Sequence, residues 1–154
     1  MGKIENKIKE LGHTLPPPGA PGGNYVPAVT LPDSGLIYTS GNVARRSDGT
    51  MIVGKLGEDI TIEEGYAAAQ TTMLNLLTVL KNELGELDRI QRVVKLLCMV
   101  NSTADFGDHP AVANGASDLL VEIFGDQGRH ARSAVGMSSL PGGVCVEIEM
   151  IVKV

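Results

Sequence analysis

The residues best suited to chemistry are an arginine and two glutamates near the C-terminus. Period-two alternation over residues 144–152 puts Glu147 and Glu149 on one face of a strand-like segment, and Arg132 begins the strand-like segment before it. An arginine can hold a substrate carboxylate through two hydrogen bonds, and a glutamate in a partly dry cleft can act as an acid or a base. The alternative is an Arg–Glu pair on a solvated face, worth roughly 0.2–1 kcal/mol. Spacing alone leaves both open.

The turn between these two segments predicts how they meet. Residues 132–140 and 144–154 are strand-like, and Pro141-Gly142-Gly143 between them is typical of a tight turn. We therefore expect an antiparallel hairpin in which Arg132 and Glu147 converge on one site. Glu149 shares the Glu147 face but could equally pair with Arg92 or Lys95 on a neighbouring strand, and it is left out of the candidate site.

The elements that position this hairpin follow from patterns upstream. β-type residues at 25–30 and 36–40 flank a Pro/Gly turn, which predicts paired strands that residues 51–56 extend. A nearly unbroken apolar run at 92–100 predicts a central strand, covered on both sides or shared with a neighbour. These segments would form one mixed sheet.

Two helices are predicted between the strands. Thr61 and Glu64 have capping-box spacing, and Gly85 is placed to end the helix that they begin. The second helix begins near Asp108, with a proline in its first turn, and stops at Gly125. The predicted fold class is therefore α+β, a mixed sheet with two helices packed on one face.

The first twenty residues form an extension. Ile4, Ile8 and Leu11 fall at helical spacing ahead of a triple-proline break, which predicts a short amphipathic helix. We divide the chain into residues 1–20, the extension, and residues 21–154, the α+β domain. Whether the helix packs on its own domain or on a partner subunit is open at this point.

Composition excludes several classes of function. The 154 residues carry 13 Lys and Arg against 18 Asp and Glu, a net charge of −5, and the basic residues do not cluster, which disfavours nucleic-acid binding. No apolar run is long enough to span a membrane, and no signal sequence is visible, so a cytoplasmic location is expected. Cys98 and Cys145 lie in apolar runs and are expected to be reduced core residues.

Metal binding has no sequence support either. His13, His109 and His130 are scattered and form no ligand array, so each is expected to be a surface or capping residue, and no metal site is predicted.

The C-terminal segment resembles a known signature. Ala131-Arg132-Ser133-Ala134-Val135, then Ser138, Leu140-Pro141 and Val146-Glu147-Ile148, is similar to the C-terminal pattern of the Rid family, the YjgF-type or L-PSP endoribonuclease-like proteins. Tyr38-Thr39-Ser40-Gly41-Asn42 resembles the upstream strand end of that family, and the resemblance covers roughly residues 25–154.

That resemblance implies a chorismate-mutase-like fold, a homotrimer whose sheets form a barrel, and active sites between subunits. The best-studied members hydrolyse reactive enamines and imines, such as 2-aminoacrylate, to 2-keto acids and ammonia without a metal or organic cofactor. Carried onto this chain, Arg132 binds the carboxylate of a small metabolite, and Glu147 positions or activates water. The pocket would be lined by Tyr25, Ser40, Gly41, Asn114 and Ala134.

Three of these lining residues also have a simpler interpretation. Tyr25 could be an aromatic packed at a subunit edge, Ser40 a turn former before Gly41, and Asn114 a solvent-facing amide.

Departures from the family pattern bear on the substrate. Ala134 stands where the best-studied deaminases have a cysteine, Asn42 replaces a frequent glutamine, and His130 replaces proline or alanine. A small Ala134 could widen the pocket for a larger imine, or the chain could bind a carboxylated ligand as a trimeric sensor without turnover. Endoribonuclease activity, from the historical name, ranks last because the charge and the few aromatic residues provide no groove for RNA.

Overall fold

A six-stranded mixed sheet forms one layer of the protein, whose computed structural model describes residues 2–154. The strands are β1 (Ala28–Leu31), β2 (Leu36–Thr39), β3 (Asn42–Val43), β4 (Arg92–Asn101), β5 (Ala131–Met137) and β6 (Val146–Lys153). Their order is β1-β2-β6-β4-β5, and β3 also pairs with β6. Only β4 and β5 are parallel; the other pairs are antiparallel. The predicted mixed sheet is confirmed.

The upstream strands agree with the sequence patterns, with one exception. β1 and β2 form the expected antiparallel pair, and the apolar β4 lies inside the sheet between β6 and β5. Residues 51–56, however, add no strand: Met51 and Val53 make only isolated bridges, to Arg45 and Val144.

The predicted hairpin of the last two strands is wrong. Strand β4 lies between β5 and β6 and pairs with both, parallel to β5 and antiparallel to β6. The chain crosses from β5 to β6 through a short 3₁₀ turn, Pro141–Gly143, in which Gly142 and Gly143 have φ of 64° and 72°. The central position pairs both edges of β4 with neighbouring strands, and its residues Leu96, Cys98 and Val100 are buried in the core. The turn sequence was identified correctly, but it does not select the partner strand.

Two helices, α2 (Ile62–Leu84) and α3 (His109–Phe124), cover one face of the sheet, as predicted. Thr61 Oγ1 accepts from the Glu64 amide at 3.2 Å and Glu64 Oε2 accepts from the Thr61 amide at 2.8 Å, which completes the capping box. Gly85 ends α2 with φ of 84°. The helices touch backbone to backbone: a Cβ added at Gly115 of α3 would overlap the carbonyl group of Tyr66 in α2.

The N-terminal helix α1 (Lys3–Glu10) packs on its own chain, against α3 and the 3₁₀ turn Leu87–Arg89. Asp88 accepts hydrogen bonds at 2.8 Å from the amides of Lys3 and Ile4, so a side chain from the domain caps the helix. Ile8 is buried in the common core. The helix therefore packs on its own domain. The division of the chain at residue 20 stays a prediction.

The core lies between the sheet and the helices. β6 contributes alternate residues to it, including Val146, Ile148 and Met150. Cys98 and Cys145 are buried free thiols, as expected, and burial raises their pKa to about 12 and about 11. Within residues 2–154, no helix is both long and apolar enough to cross a bilayer.

Candidate functional site

Arg132 projects from β5 towards the helices, where α3 holds its guanidinium. Nη1 donates to Asn114 Oδ1 at 2.9 Å and to Ser117 Oγ at 3.1 Å. The one ion pair within residues 2–154 joins Arg129 and Asp126, so no described carboxylate lies within 4.0 Å of Arg132. The simpler interpretation of Asn114 as a solvated amide is therefore incomplete: the side chain is exposed but holds the arginine.

Ser117 and His130 extend this arrangement behind the arginine. His130 Nδ1 lies 2.6 Å from the Gly128 carbonyl, which can only accept, so Nδ1 carries a proton. In the neutral ring Nε2 must then accept, and Ser117 Oγ, 2.9 Å away, donates to it while accepting from Arg132. Burial lowers the pKa of His130. The hydrogen bond to Gly128 raises this pKa and the nearby Arg132 charge lowers it, and the net shift is downward, which favours the neutral ring.

Sequence reasoning missed both supporting residues. His130 is expected to be a surface or capping residue, but it is half-buried and bonded at both ring nitrogens. Ser117 was not singled out, although a signal existed: it follows Asn114 by three residues and therefore shares its face of the helix.

Ala134 lies two residues along β5 from Arg132 and packs against the core, on the same helix-facing side. No thiol stands at this position, as the sequence shows. Its methyl side chain is small, so it fills little of the space beside Arg132.

Glu147 occupies the opposite face of the sheet. Its neighbours in β6, Val146 and Ile148, point into the core, so alternation sends Glu147 to the side without helices. Gly41 packs directly on it, and a Cβ at Gly41 would overlap the carboxylate. Partial burial raises the pKa of Glu147, and the negative charge of Glu149 raises it further.

Glu149 itself pairs with neither predicted partner. No ion pair joins it to Arg92 or Lys95 among the described residues, and Lys95 Nζ instead donates to Ser133 Oγ at 3.0 Å. Its charge therefore stays available to act on Glu147.

A cavity of about 510 Å³ opens beside Glu147. Tyr25, Ser40 and Gly41 line it together with Glu147, which brings four of the predicted site residues together. Ser40 Oγ donates to the Val26 carbonyl at 2.7 Å, so its proton is already used and its lone pairs are what it offers to a ligand. Tyr25 is about half exposed, and its hydroxyl accepts from the Gly22 amide at 3.2 Å.

The predicted residues therefore fall into two groups that do not meet within one chain. The arginine group is Arg132, Asn114 and Ala134, at the edge strand β5 on the helix side. The glutamate group surrounds Glu147 on the other side of the sheet, with β4 between β5 and β6. The prediction that a hairpin brings Arg132 and Glu147 together is therefore wrong, because β4 lies between β5 and β6 and pairs with both.

Neither group resembles a metal centre. Residues 2–154 contain no cluster of three or more His, Cys, Asp or Glu side chains that could hold a metal ion.

Comparisons with known proteins place the chain in a family. The family described as "YjgF/chorismate mutase-like, putative endoribonuclease" matches residues 5–149. Protein TCP17 of Trypanosoma cruzi is 42% identical, over 99% of this chain and 94% of that protein. The crystal structure of a "putative endoribonuclease" from Shewanella oneidensis has 33% identity and a TM-score of 0.94, over 99% of this chain and 100% of that one.

A third relative agrees with these two. The crystal structure of Atu1372 from Agrobacterium tumefaciens, described as of unknown function, is 40% identical with a TM-score of 0.90, over 98% of this chain and 92% of that one. The family match over residues 5–149 spans both the arginine group and the glutamate group. The chain therefore belongs to the YjgF/chorismate-mutase-like family, the Rid family that its C-terminal residues resemble.

Proposed function

We propose that this protein is a hydrolytic deaminase of reactive enamines and imines, which it converts to 2-keto acids and ammonia. One observation carries the proposal: the guanidinium of Arg132 is fixed by Asn114 and Ser117, and no described carboxylate neutralises it. A charge held in place without a partner favours an anionic ligand. A substrate carboxylate fits it, since guanidinium and carboxylate form paired hydrogen bonds.

The geometry leaves the required donors free. Both described bonds of Arg132 use Nη1, so Nη2 and Nε keep their N–H groups for a carboxylate. A carboxylate bound there would fix the adjacent imine carbon of a 2-imino acid. Orientation of this kind supplies much of the rate when the carbon is already electrophilic.

Glu147 supplies the acid–base chemistry in this proposal. The oxygen of a water molecule bonds to the imine carbon, one water proton passes to Glu147, and the C=N electron pair moves to nitrogen. Glu147 returns its proton to that nitrogen. The C–N bond of the resulting carbinolamine then breaks as the hydroxyl proton goes to nitrogen, which releases ammonia and the 2-keto acid. The raised pKa of Glu147 suits both proton transfers.

A second copy of the chain is needed to bring the two groups together. We propose that the edge strand β5 of one subunit lies against the Glu147 cavity of the next, in the homotrimer that the family resemblance implies. Exposed apolar side chains on the helix-free side support this assembly: Val29, Tyr38 and Val135 are each at least 37% exposed, and association would bury them.

The test follows the loss of 2-aminoacrylate, generated in situ by a dehydratase acting on serine. We expect faster loss with wild type, and little acceleration with Arg132→Ala or Glu147→Gln. Mixing these two variants adds a sharper control, because a mixed trimer restores an intact site if Arg132 and Glu147 come from different subunits. Ammonia release by Arg132→Ala protein at the wild-type rate would contradict the proposal.

Ala134 favours a second candidate, a trimeric binder or sensor of small carboxylated metabolites. With alanine and no thiol at position 134, the pocket could hold a keto acid without chemistry. Saturable keto-acid binding with no turnover of any imine would support it. Endoribonuclease activity ranks behind both because of the net charge of −5. RNA cleavage that co-purified with the trimer and vanished in Glu147→Ala protein would revive it.

A further inference from the structure

A second pocket lies at the far end of β5, two strand positions beyond Ala134. It has a volume of about 430 Å³, and Lys55, Ser102, His109 and Gly136 are among the residues that line it. No acidic side chain is part of its lining. The pocket is separate from the cavity beside Glu147, with which it shares no residue.

The imidazole of His109 is held in this pocket with one nitrogen unused. Its Nε2 lies 3.1 Å from Ser102 Oγ, and Ser102 is 6% exposed. The ring edge of Phe106 packs at an interplanar angle of 87° and a centroid distance of 5.2 Å, which fixes the ring plane. His109 Nδ1 makes no hydrogen bond with any residue from 2 to 154. An oriented imidazole with a free ring nitrogen is ready to contact a polar ligand.

Lys55 adds a positive charge that no described carboxylate neutralises. Its Nζ donates to the Ser138 carbonyl at 2.8 Å, and no acidic group lies within 4.0 Å of it. One hydrogen bond leaves the other ammonium protons available. A pocket with a lysine, an imidazole and hydroxyl groups but no carboxylate favours an anionic group.

Small residues along β5 keep the way to this pocket open. Arg132, Ala134 and Gly136 alternate on the helix-facing side, so the Cα atoms of Arg132 and Gly136 are about 13 Å apart. A Cβ at Gly136 would overlap His109 Nε2 and lie 2.8 Å from Ser102 Oγ. Glycine at this position therefore leaves space that any side chain would fill.

We propose that this pocket binds a second carboxylate on the substrate whose first carboxylate is held by Arg132. The inference rests on the proposed function and narrows it: the substrates are imines of dicarboxylic 2-keto acids, longer than 2-aminoacrylate. Lys55 and His109 contact the distal carboxylate, and the chain between the two carboxylates passes over Ala134 and Gly136. Ala134 in place of a larger residue gives that chain room.

The stable 2-keto acid products test this without any catalysis. Isothermal titration calorimetry compares 2-oxobutyrate with 2-oxoglutarate and 2-oxoadipate on the intact protein. We expect one of the diacids to bind at least about tenfold more tightly than the monoacid, since a hydrogen bond to a charged group contributes on this scale. Lys55→Met should abolish most of this difference in affinity between diacid and monoacid. Lys9→Met, the same change at an exposed lysine of α1, should keep it.

A second variant keeps the inference testable if Lys55→Met protein does not fold. Gly136→Ala displaces His109 by steric overlap and should also reduce the diacid preference, with no change of charge. Equal affinities for monoacid and diacids in wild type, or a preference that survives both variants, would overturn the inference. If 2-oxobutyrate still binds through Arg132 in that case, the proposed function stands alone. If no keto acid binds, both fail.

Discussion

Ser117 Oγ lies 3.1 Å from Nη1 of Arg132, so a hydroxyl on α3 helps to fix the guanidinium on β5. The contact joins a helix to an edge strand. It also leaves the other side of the guanidinium open, because both described bonds use the same nitrogen.

Removal of this hydroxyl should weaken ligand binding without unfolding the protein. In Ser117→Ala, Arg132 keeps its bond to Asn114 but loses the second anchor, and we expect kcat/KM for 2-aminoacrylate to fall about tenfold. Ser139→Ala is the matched control, because Ser139 is exposed and its hydroxyl makes no described hydrogen bond. Equal kcat/KM in the two variants would show that Ser117 does not position Arg132.

His130 should make the stability of the protein pH-dependent. Its folded-state pKa is lowered, so below pH 6.5 the unfolded chain binds more protons than the folded one, and stability falls as the pH drops through this range. Urea unfolding above and below pH 6.5 measures the slope. His130→Gln should flatten it, since glutamine does not titrate. A slope identical to that of wild type would contradict the prediction.

Burial of Glu147 and the negative charge of Glu149 should together set the acid limit of the proposed activity. The base form of Glu147 is needed, and its raised pKa places the loss of activity above its ordinary value of 4.5. Glu149→Gln removes the negative charge that helps to raise this pKa, so the acid limb of kcat/KM should move to lower pH. The profile is measured after subtraction of uncatalysed hydrolysis. A limb that stays in place would mean that another group controls it.

Asp88 should hold α1 on the domain in its ionised form. Hydrogen bonds from the amides of Ile4 and Lys3 lower its pKa, so the contribution is present above the ordinary pKa of 3.8 and is lost as the pH falls through the lowered one. Asp88→Asn should increase hydrogen exchange in α1 at neutral pH. Asp33→Asn, in the turn between β1 and β2, is the control that should leave exchange unchanged.

Local features of this fold were predictable, and long-range pairing was not. Thr61, Glu64 and Gly85 mark the ends of α2 in the sequence because the groups that cap a helix are its own near neighbours. The apolar run of β4 indicated a central strand, but the residues of β5 and β6 do not show that each pairs with β4 and not with the other. The hairpin prediction failed for this reason.

The same division applies to the candidate site. Arg132 and Glu147 were identifiable by residue type and motif, but their separation on two faces of the sheet depends on strand order. Ser117 and His130 were overlooked because their role exists only once α3 lies beside β5.

The close packing at Gly115 fixes the distance between α3 and α2. Gly115 follows Asn114 in α3 and rests against the Tyr66 backbone, so even a methyl group there would force the two helices apart. Both anchors of Arg132, Asn114 and Ser117, would move with α3. A residue that touches no ligand thus acts as a spacer, and its missing side chain sets the distance at which the arginine is presented.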